Sequence, residues 1–398
     1  MMKEARKILI LYAKFGDGHY QVAQALKQQF EEQGAAEAAL YDPFAEAYPA
    51  LNRWSQSVYY LSTSQYPKAY GWGYELTDRI RSTSAIGRWL HSLGADRLIR
   101  TLNEERPDAV IQTFPLLTMS HVREQTGCRI PTYTVLTDYV LHSRWLHRET
   151  DRYFVATEEL KADLAGAGFA PERISVSGIP IRSRFRAPAP AEAEGNGDGA
   201  GRTAKFVLLM AGAYGVSAEV GKMASALLES EDYSVLLVCG KNGALEDRMR
   251  RLFAGEPRVR VFGFVERIER LMAKSFCMIS KAGGITLTEA VSLGLPVITY
   301  RPIPGQESGN AKYWASKGML TIANDLEQLK RQTDEWLAQT RTSESRQSHV
   351  SLYSAADAAS AIATQVLSDL GAGSAAVHRP LIPLNKKRRW LQAILGTH

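Results

Sequence analysis

The chain has 398 residues, 45% hydrophobic and 23% charged, the ordinary range for a soluble globular protein and long enough for two domains. No apolar run approaches the roughly 20 residues of a membrane span, and the amino terminus passes straight into "KFGDGH" without the pattern of a signal peptide. Most of the formal charge of +6 sits in the last 21 residues, where Arg379, Lys386, Lys387, Arg388 and Arg389 stand without an acid; the near-neutral remainder argues against a nucleic-acid-binding protein.

The first predicted strand is "KILILYA" (7–13), a continuous apolar run. It feeds the turn "AKFGDGHYQVAQAL", which has Gly16 and Gly18 but not the third glycine of a dinucleotide fingerprint. Val22, Leu26 and Phe30 follow at helical spacing, and His19 stands where that helix starts. The positive end of a helix disfavours imidazolium, so His19 is expected to be neutral and able to accept a proton. A capping or packing histidine is the plainer alternative.

Residues 48–100 break the pattern. They hold Trp54, Trp72 and Trp89 among many tyrosines, with seven Lys and Arg against three acids. Ile86, Leu90 and Leu93 share one predicted helix face, as do Trp54, Val58 and Leu61. The segment reads either as a helical insertion packed on the first domain or as a lipid-facing surface, because Trp and Tyr favour the membrane boundary.

Apolar strands then alternate with helical stretches: "DAVIQTF" (108–114), "PTYTVLTD" (131–138), "RYFVAT" (152–157) and "ISVSGIP" (174–180). That alternation means a parallel sheet covered on both faces. Asp138 stands at a strand end, with His142 and His147 close behind. Asp138 is placed either to orient a base or an acceptor hydroxyl, or to cap the next segment. The stretch 187–202, "APAPAEAEGNGDGAGR", has no apolar periodicity and reads as a linker.

The α/β pattern restarts at 203. "FVLLMAG" (206–212) runs into Gly212, and "VCGKNG" (238–243) presents Gly240, Lys241 and Asn242 at a further strand end. "FGFVERI" (262–268) can offer the backbone of Phe264 or Val265 to a base edge. In "CMISKAGGITLTEA" a strand ends, Gly283 and Gly284 admit a close ligand, Ile285 follows and Thr286 begins a helix. Uncapped amides at a helix start favour phosphate. Glu289, one turn further, would repel phosphate but suits a ribose diol. A glycine helix start with an acid near it is the bland alternative. Gln306 and Glu307, on the Pro/Gly-stiffened loop "PIPGQE", suit the hydroxyls of a hexose, unless that loop is plain surface.

The expected organisation is an α/β chain with a first domain over 1–186, a linker at 187–202, a second domain over 203–370 and a tail over 371–398. Ligands in such sheets sit at the carboxyl ends of the strands, here in a cleft between two domains. The tail "NKKRRWLQAIL" places Lys386, Lys387, Arg388 and Arg389 before Trp390 and further apolar residues. It reads as a reversible anchor on an anionic membrane or as a solvated end. Cys128, Cys239 and Cys277 are odd in number and widely spaced, so a reducing cytosol is expected, with no disulfide framework or metal cluster.

The stretches "FGDGHYQVA", "QTFP", "TDYVLHSRWLH", "VATEELK", "SGIPIR", "MAGAYGV", "VCGKN", "VERI", "GGITLTEA" and "PGQE" run in order from about residue 8 to 315. In them the chain resembles the processive diacylglycerol β-glucosyltransferases of glycosyltransferase family 28, which also includes the monogalactosyldiacylglycerol synthases. The family often has Pro before the glycine pair, where this chain has Ala282. The resemblance implies a GT-B fold of two Rossmann-like domains, a UDP-sugar donor on the second and an inverting transfer; with the helix start at Gly284–Thr286 to stabilise the departing diphosphate, no metal or cofactor is expected. By it Glu289 holds ribose, Gln306 and Glu307 hold the hexose, and His19 and Gly18 lie at the acceptor side. The expected activity is transfer of glucose from UDP-glucose to diacylglycerol, with the glucolipid as a second acceptor, at the inner face of the cell membrane. Alternatives are another UDP-sugar with another lipid acceptor, a UDP-sugar epimerase, and a non-catalytic UDP-sugar sensor.

Overall fold

The computed structural model describes residues 5–14, 17–50, 76, 78, 84–185, 205–212, 219–339, 357–372 and 381. Trp54, Trp72, Lys386, Lys387, Arg388, Arg389 and Trp390 lie outside the described residues, as do the 187–202 linker and most of the 48–100 segment and of the tail. The chain divides into two units, each built on a six-stranded parallel sheet.

The first sheet contains β1 (Arg6–Leu11), β2 (Ala36–Tyr41), β3 (Ala109–Gln112), β4 (Thr132–Val135), β5 (Arg152–Val155) and β6 (Ile174–Val176). Their order is β2-β1-β3-β4-β5-β6. β3 and β4 are buried along their whole length, as the apolar runs require of strands covered on both faces. β2, at the edge, alternates buried and exposed positions from Ala36 to Ala39. The helix Gly18–Glu32 buries Val22, Leu26 and Phe30, the predicted stripe.

The helix Ala358–Ala372 packs on Gly18–Glu32 and belongs to this first unit, although the sequence reading carries the second domain to 370. Ala359, Ile362, Ala363 and Val366 form its buried stripe, and Asp369 accepts from Arg152 Nε at 3.0 Å. In the short helix Ala85–His91 the buried side is not the predicted apolar face. Ile86 and Trp89 are 59% and 60% exposed, whereas Gly87 and His91 are buried. The inward position goes to His91 because its Nδ1 accepts the Leu117 amide at 3.0 Å.

The second sheet contains β7 (Phe206–Met210), β8 (Ser234–Val238), β9 (Val259–Phe262), β10 (Ser275–Ile279), β11 (Val297–Tyr300) and β12 (Leu320–Ala323), in the order β12-β11-β10-β7-β8-β9. β10 is buried throughout, and the core around it holds Val207, Leu209, Val235, Leu237, Cys277 and Ile279. Residues 181–185, given to the first domain by the sequence reading, group with this second unit.

Each strand order has one place where the chain changes direction across the sheet. It falls between β1 and β3 in the first unit and between β7 and β10 in the second. Loops leaving these adjacent strands diverge to opposite faces, which opens a crevice at the strands' carboxyl ends.

Candidate active site

His19 stands at the first switch point. β1 leads through a turn into its helix, and the residue after β3 is Thr113, whose carbonyl lies 2.8 Å from His19 Nδ1. A carbonyl only accepts, so Nδ1 carries the proton and Nε2 keeps a lone pair. Thr137, two residues beyond β4, brings Oγ1 to 3.2 Å from the same Nδ1. Phe114 sets its ring edge-on at 4.7 Å, and Trp145 lies at 6.4 Å. Burial under these groups lowers the His19 pKa to about 4, opposed by the bond to Thr113. The expected neutral imidazole is therefore present, but burial rather than the helix end is its main cause. Gly18 is the first residue of the same helix, after the N-cap Asp17.

The other first-unit candidates separate by role. Asp138 is buried next to Thr137, just past β4. His142 is buried, and its Nδ1 accepts the Arg144 amide at 3.1 Å, capping the turn Ser143–Trp145. His147 turns its Nδ1 to the Glu149 amide at 3.2 Å and stacks edge-on against His91 at 5.8 Å. Burial lowers the pKa of His147 to about 4 and of His91 to about 3.

In the second unit the expected donor residues all follow the carboxyl ends of strands. Gly212 follows β7 with φ +84°, a backbone region that favours glycine. Gly240 follows β8; Lys241 lies over the Phe264 ring at 5.0 Å, and Asn242 caps the next helix through the Leu245 amide at 3.0 Å. Phe264, beyond β9, is 57% exposed, and Val265 is next to it.

After β10 the helix begins at Gly284, with Gly283 as N-cap, two residues earlier than the Thr286 start expected from sequence. No side-chain hydrogen bond caps it, and no acid occupies its first turn. The amides of Gly284, Ile285 and Thr286 thus carry the helix's partial positive charge without a built-in acceptor. A Cβ at Gly283 would meet nothing within 4 Å, so the space in front is open.

Glu289 is buried on that helix, and its Oε1 accepts from Arg182 Nη2 at 2.8 Å. Burial raises the Glu289 pKa, and Arg182 opposes the rise. Gln306 and Glu307 lie at the start of the helix Gln306–Ser316, not on a loop as expected. The N-cap Gly305, at φ 97° and ψ −129°, ends the loop earlier than the composition "PIPGQE" suggests. Burial raises the Glu307 pKa, and Lys281 opposes this from 3.8 Å.

Five residues without an assigned role in the sequence reading support these sites: Thr113, Thr137, Arg182, Lys281 and Asn310. The first four sit in or beside quoted motifs, which was the available signal, but nothing in their spacing says which atoms they meet. Asn310 lies buried on the helix Gln306–Ser316 and donates Nδ2 to Ala282 O at 3.1 Å, bracing the glycine turn. Among the described residues no group of three or more His, Cys, Asp or Glu is arranged for a metal ion.

Two family models match the chain: "Monogalactosyldiacylglycerol (MGDG) synthase" over residues 19–181 and "Glycosyltransferase family 28 C-terminal domain" over 207–364. A processive diacylglycerol β-glucosyltransferase of Bacillus cereus (strain AH187) is 39% identical over 320 residues, covering 80% of this chain and 82% of that protein. One of the same description from Bacillus cytotoxicus is 38% identical over the same shares. Among solved structures, a UDP co-structure of S. aureus MnaA has a TM-score of 0.61 at 16% identity, covering 92% of this chain and 97% of the other. Acinetobacter baumannii MurG has a TM-score of 0.57 at 16% identity, with 91% and 99% covered. At such identities these likenesses bear on fold alone, and with the two parallel sheets they make it a two-unit GT-B α/β fold. The ordered motifs, the two switch points and the match across both units lead to one family: the chain belongs to the processive diacylglycerol β-glucosyltransferases of glycosyltransferase family 28.

Proposed function

We propose that the protein is a glycosyltransferase that moves glucose from UDP-glucose to diacylglycerol, and then to the glucolipid so formed. The observation that carries this reading is the second switch point. There the uncapped amides of Gly284, Ile285 and Thr286 are followed by Glu289 on the same helix. Diphosphate on those amides, ribose on Glu289 and hexose on Gln306 and Glu307 fit their chemistry. The uracil edge falls to the backbone of Phe264 and Val265, with Gly212, Gly240, Lys241 and Asn242 at the neighbouring strand ends.

The acceptor hydroxyl attacks C1 of glucose on the face opposite the diphosphate. The C1–O bond to UDP breaks, its electron pair leaves with UDP, and the configuration at C1 inverts. His19 takes the hydroxyl proton on Nε2, because Nδ1–H is committed to Thr113 O, and Asp138 supports the acceptor side. Charge gathering on the departing diphosphate is met by the helix amides. Turnover should therefore persist in a chelator. Activity lost with chelator and restored by manganese would overturn that part.

A lipid acceptor calls for a membrane surface. No described helix is long and apolar enough to cross one. Trp89 and Ile86 are exposed on one short helix, and the tail cations Lys386–Arg389 precede Trp390, so we place the protein peripherally on the inner leaflet. The deciding experiment gives purified protein diacylglycerol and a mixture of UDP-sugars and identifies the lipids by mass spectrometry. Mono- and diglucosyl-diacylglycerol are expected. Another sugar or acceptor in the product, or an epimerised UDP-sugar formed without lipid, would replace this reading.

A further inference from the structure

Arg182 belongs to the second unit and docks on the helix that follows the glycine turn. Its Nη2 meets Glu289 Oε1 at 2.8 Å, with the two side chains 17% and 7% exposed. Its guanidinium lies over the Phe185 ring at 4.9 Å, and Phe185 is fully buried. Ser292 Oγ, one turn beyond Glu289, donates to Phe185 O at 3.1 Å. Arg184 of the same segment reaches Glu269 at 3.6 Å. The segment Ile181–Phe185 is thus fastened to the helix Gly284–Ser292 at Arg182 and Phe185 and to the helix Ile268–Lys274 at Arg184, and the guanidinium has little freedom.

Burial pushes the Glu289 carboxyl up and favours its protonated form, and the Arg182 cation lying against it opposes this. A protonated acid accepts a hydroxyl's hydrogen bond more weakly than a carboxylate does. It also has no fixed oxygen to present. We propose that Arg182 is a positioning residue for nucleotide recognition: it keeps Glu289 ionised and fixes Oε1, so that Oε2 faces the ribose diol. This rests on the reading of Glu289 as the ribose partner given above, and adds the residue through which that recognition is held. Arg182 itself need not touch the nucleotide.

The test measures UDP and 2′-deoxy-UDP affinities by calorimetry between pH 6 and 8, on the full chain and on Arg182→Met, Arg182→Lys and Glu289→Gln. The unaltered protein should prefer UDP by about tenfold or more, the value of a hydrogen bond to a charged group, with little change over that pH range. In Arg182→Met the preference should fall to about twofold, and UDP affinity should weaken as the pH falls, because a buried carboxylate without its cation takes up a proton more readily. Arg182→Lys should restore most of both, since a cation returns to the carboxylate. Removing one partner of a buried pair is destabilising, so each variant's thermal unfolding is recorded; Arg182→Lys and Glu289→Gln keep the comparison if Arg182→Met does not fold.

If the unaltered protein binds UDP without preferring it over 2′-deoxy-UDP, the ribose role of Glu289 fails. If it prefers UDP and Arg182→Met keeps that preference at every pH, the positioning role fails while the ribose role stands. A rise in UDP affinity in Arg182→Met, with selectivity preserved, would make Arg182 a competitor for the site and also overturn the proposal. Should Arg182→Met not fold, Arg182→Lys losing selectivity as fully as Glu289→Gln would contradict the charge argument.

Discussion

At His19 one backbone carbonyl decides which nitrogen can work. The bond to Thr113 O leaves Nε2 as the acceptor, and burial lowers the pKa to about 4. His19 is neutral above that pH and is lost as a base only below it. If it is the base, the acid limb of kcat/KM it produces should lie near pH 4 rather than at the usual histidine value of about 6.5. His19→Ala should cut kcat by about 10²–10⁴-fold and leave UDP affinity, read by calorimetry, unchanged. Near-normal turnover in that variant would remove His19 from the role. Lys281 gives a second case. It is the cation against buried Glu307, so Lys281→Met should raise the Glu307 carboxyl further and favour its protonated form. If Glu307 holds the hexose, KM for UDP-glucose should rise by about tenfold, while inhibition by UDP alone stays the same.

The helix Gly284–Ser292 starts without a side-chain cap, which leaves the element less stable than it could be. Asp is a better N-cap than Gly by a few tenths of a kcal/mol, and space in front of Gly283 is open. Gly283→Asp should therefore leave the melting temperature unchanged or slightly raised, yet weaken UDP binding by about tenfold or more through charge repulsion. A variant that melts as expected but binds UDP normally would place the diphosphate elsewhere. Asn310 makes the complementary point, since its bond to Ala282 O joins the helix Gln306–Ser316 to the glycine turn. The glycine turn and that helix, far apart in the chain, are thereby held together.

Over the whole molecule, burial of neutral histidines ties stability to pH. His19, His91 and His147 have pKa values lowered to about 4, 3 and 4 in the folded chain, against about 6.5 when unfolded. The unfolded chain thus binds more protons as the pH falls from about 6.5 towards 4, and stability is lost across that window. Melting temperatures should fall from pH 7 to pH 5. His91→Asn keeps an acceptor for the Leu117 amide and should flatten the decline; an unchanged slope would take His91 out of it. Membrane binding is tested at the same scale. Leu381 exchanges both backbone bonds with the Asn103 side chain at 2.9 Å, so truncation after 385 removes the basic tail and spares that clamp. Sedimentation with anionic vesicles should drop, because each lost cation is worth about 1 kcal/mol; unchanged binding would assign the membrane contact elsewhere. Local periodicity and composition were enough, in the sequence alone, to set the α/β alternation, the restart near 203 and the strand-end motifs. They missed β2, whose alanine-rich "AEAALY" lacks a β-branched signature, and they left open whether the Ile86 face of the helix Ala85–His91 packs inward or faces out. The family likeness placed Glu289, Gln306 and Glu307 among the candidates. Only the tertiary structure decided that Thr113 orients His19, that Arg182 meets Glu289, that Lys281 meets Glu307, and that the helix Ala358–Ala372 returns to the first unit. Those pairings join residues far apart in the chain, and a hydrogen bond or a buried charge pair depends on distances in space that no local pattern of residue types encodes.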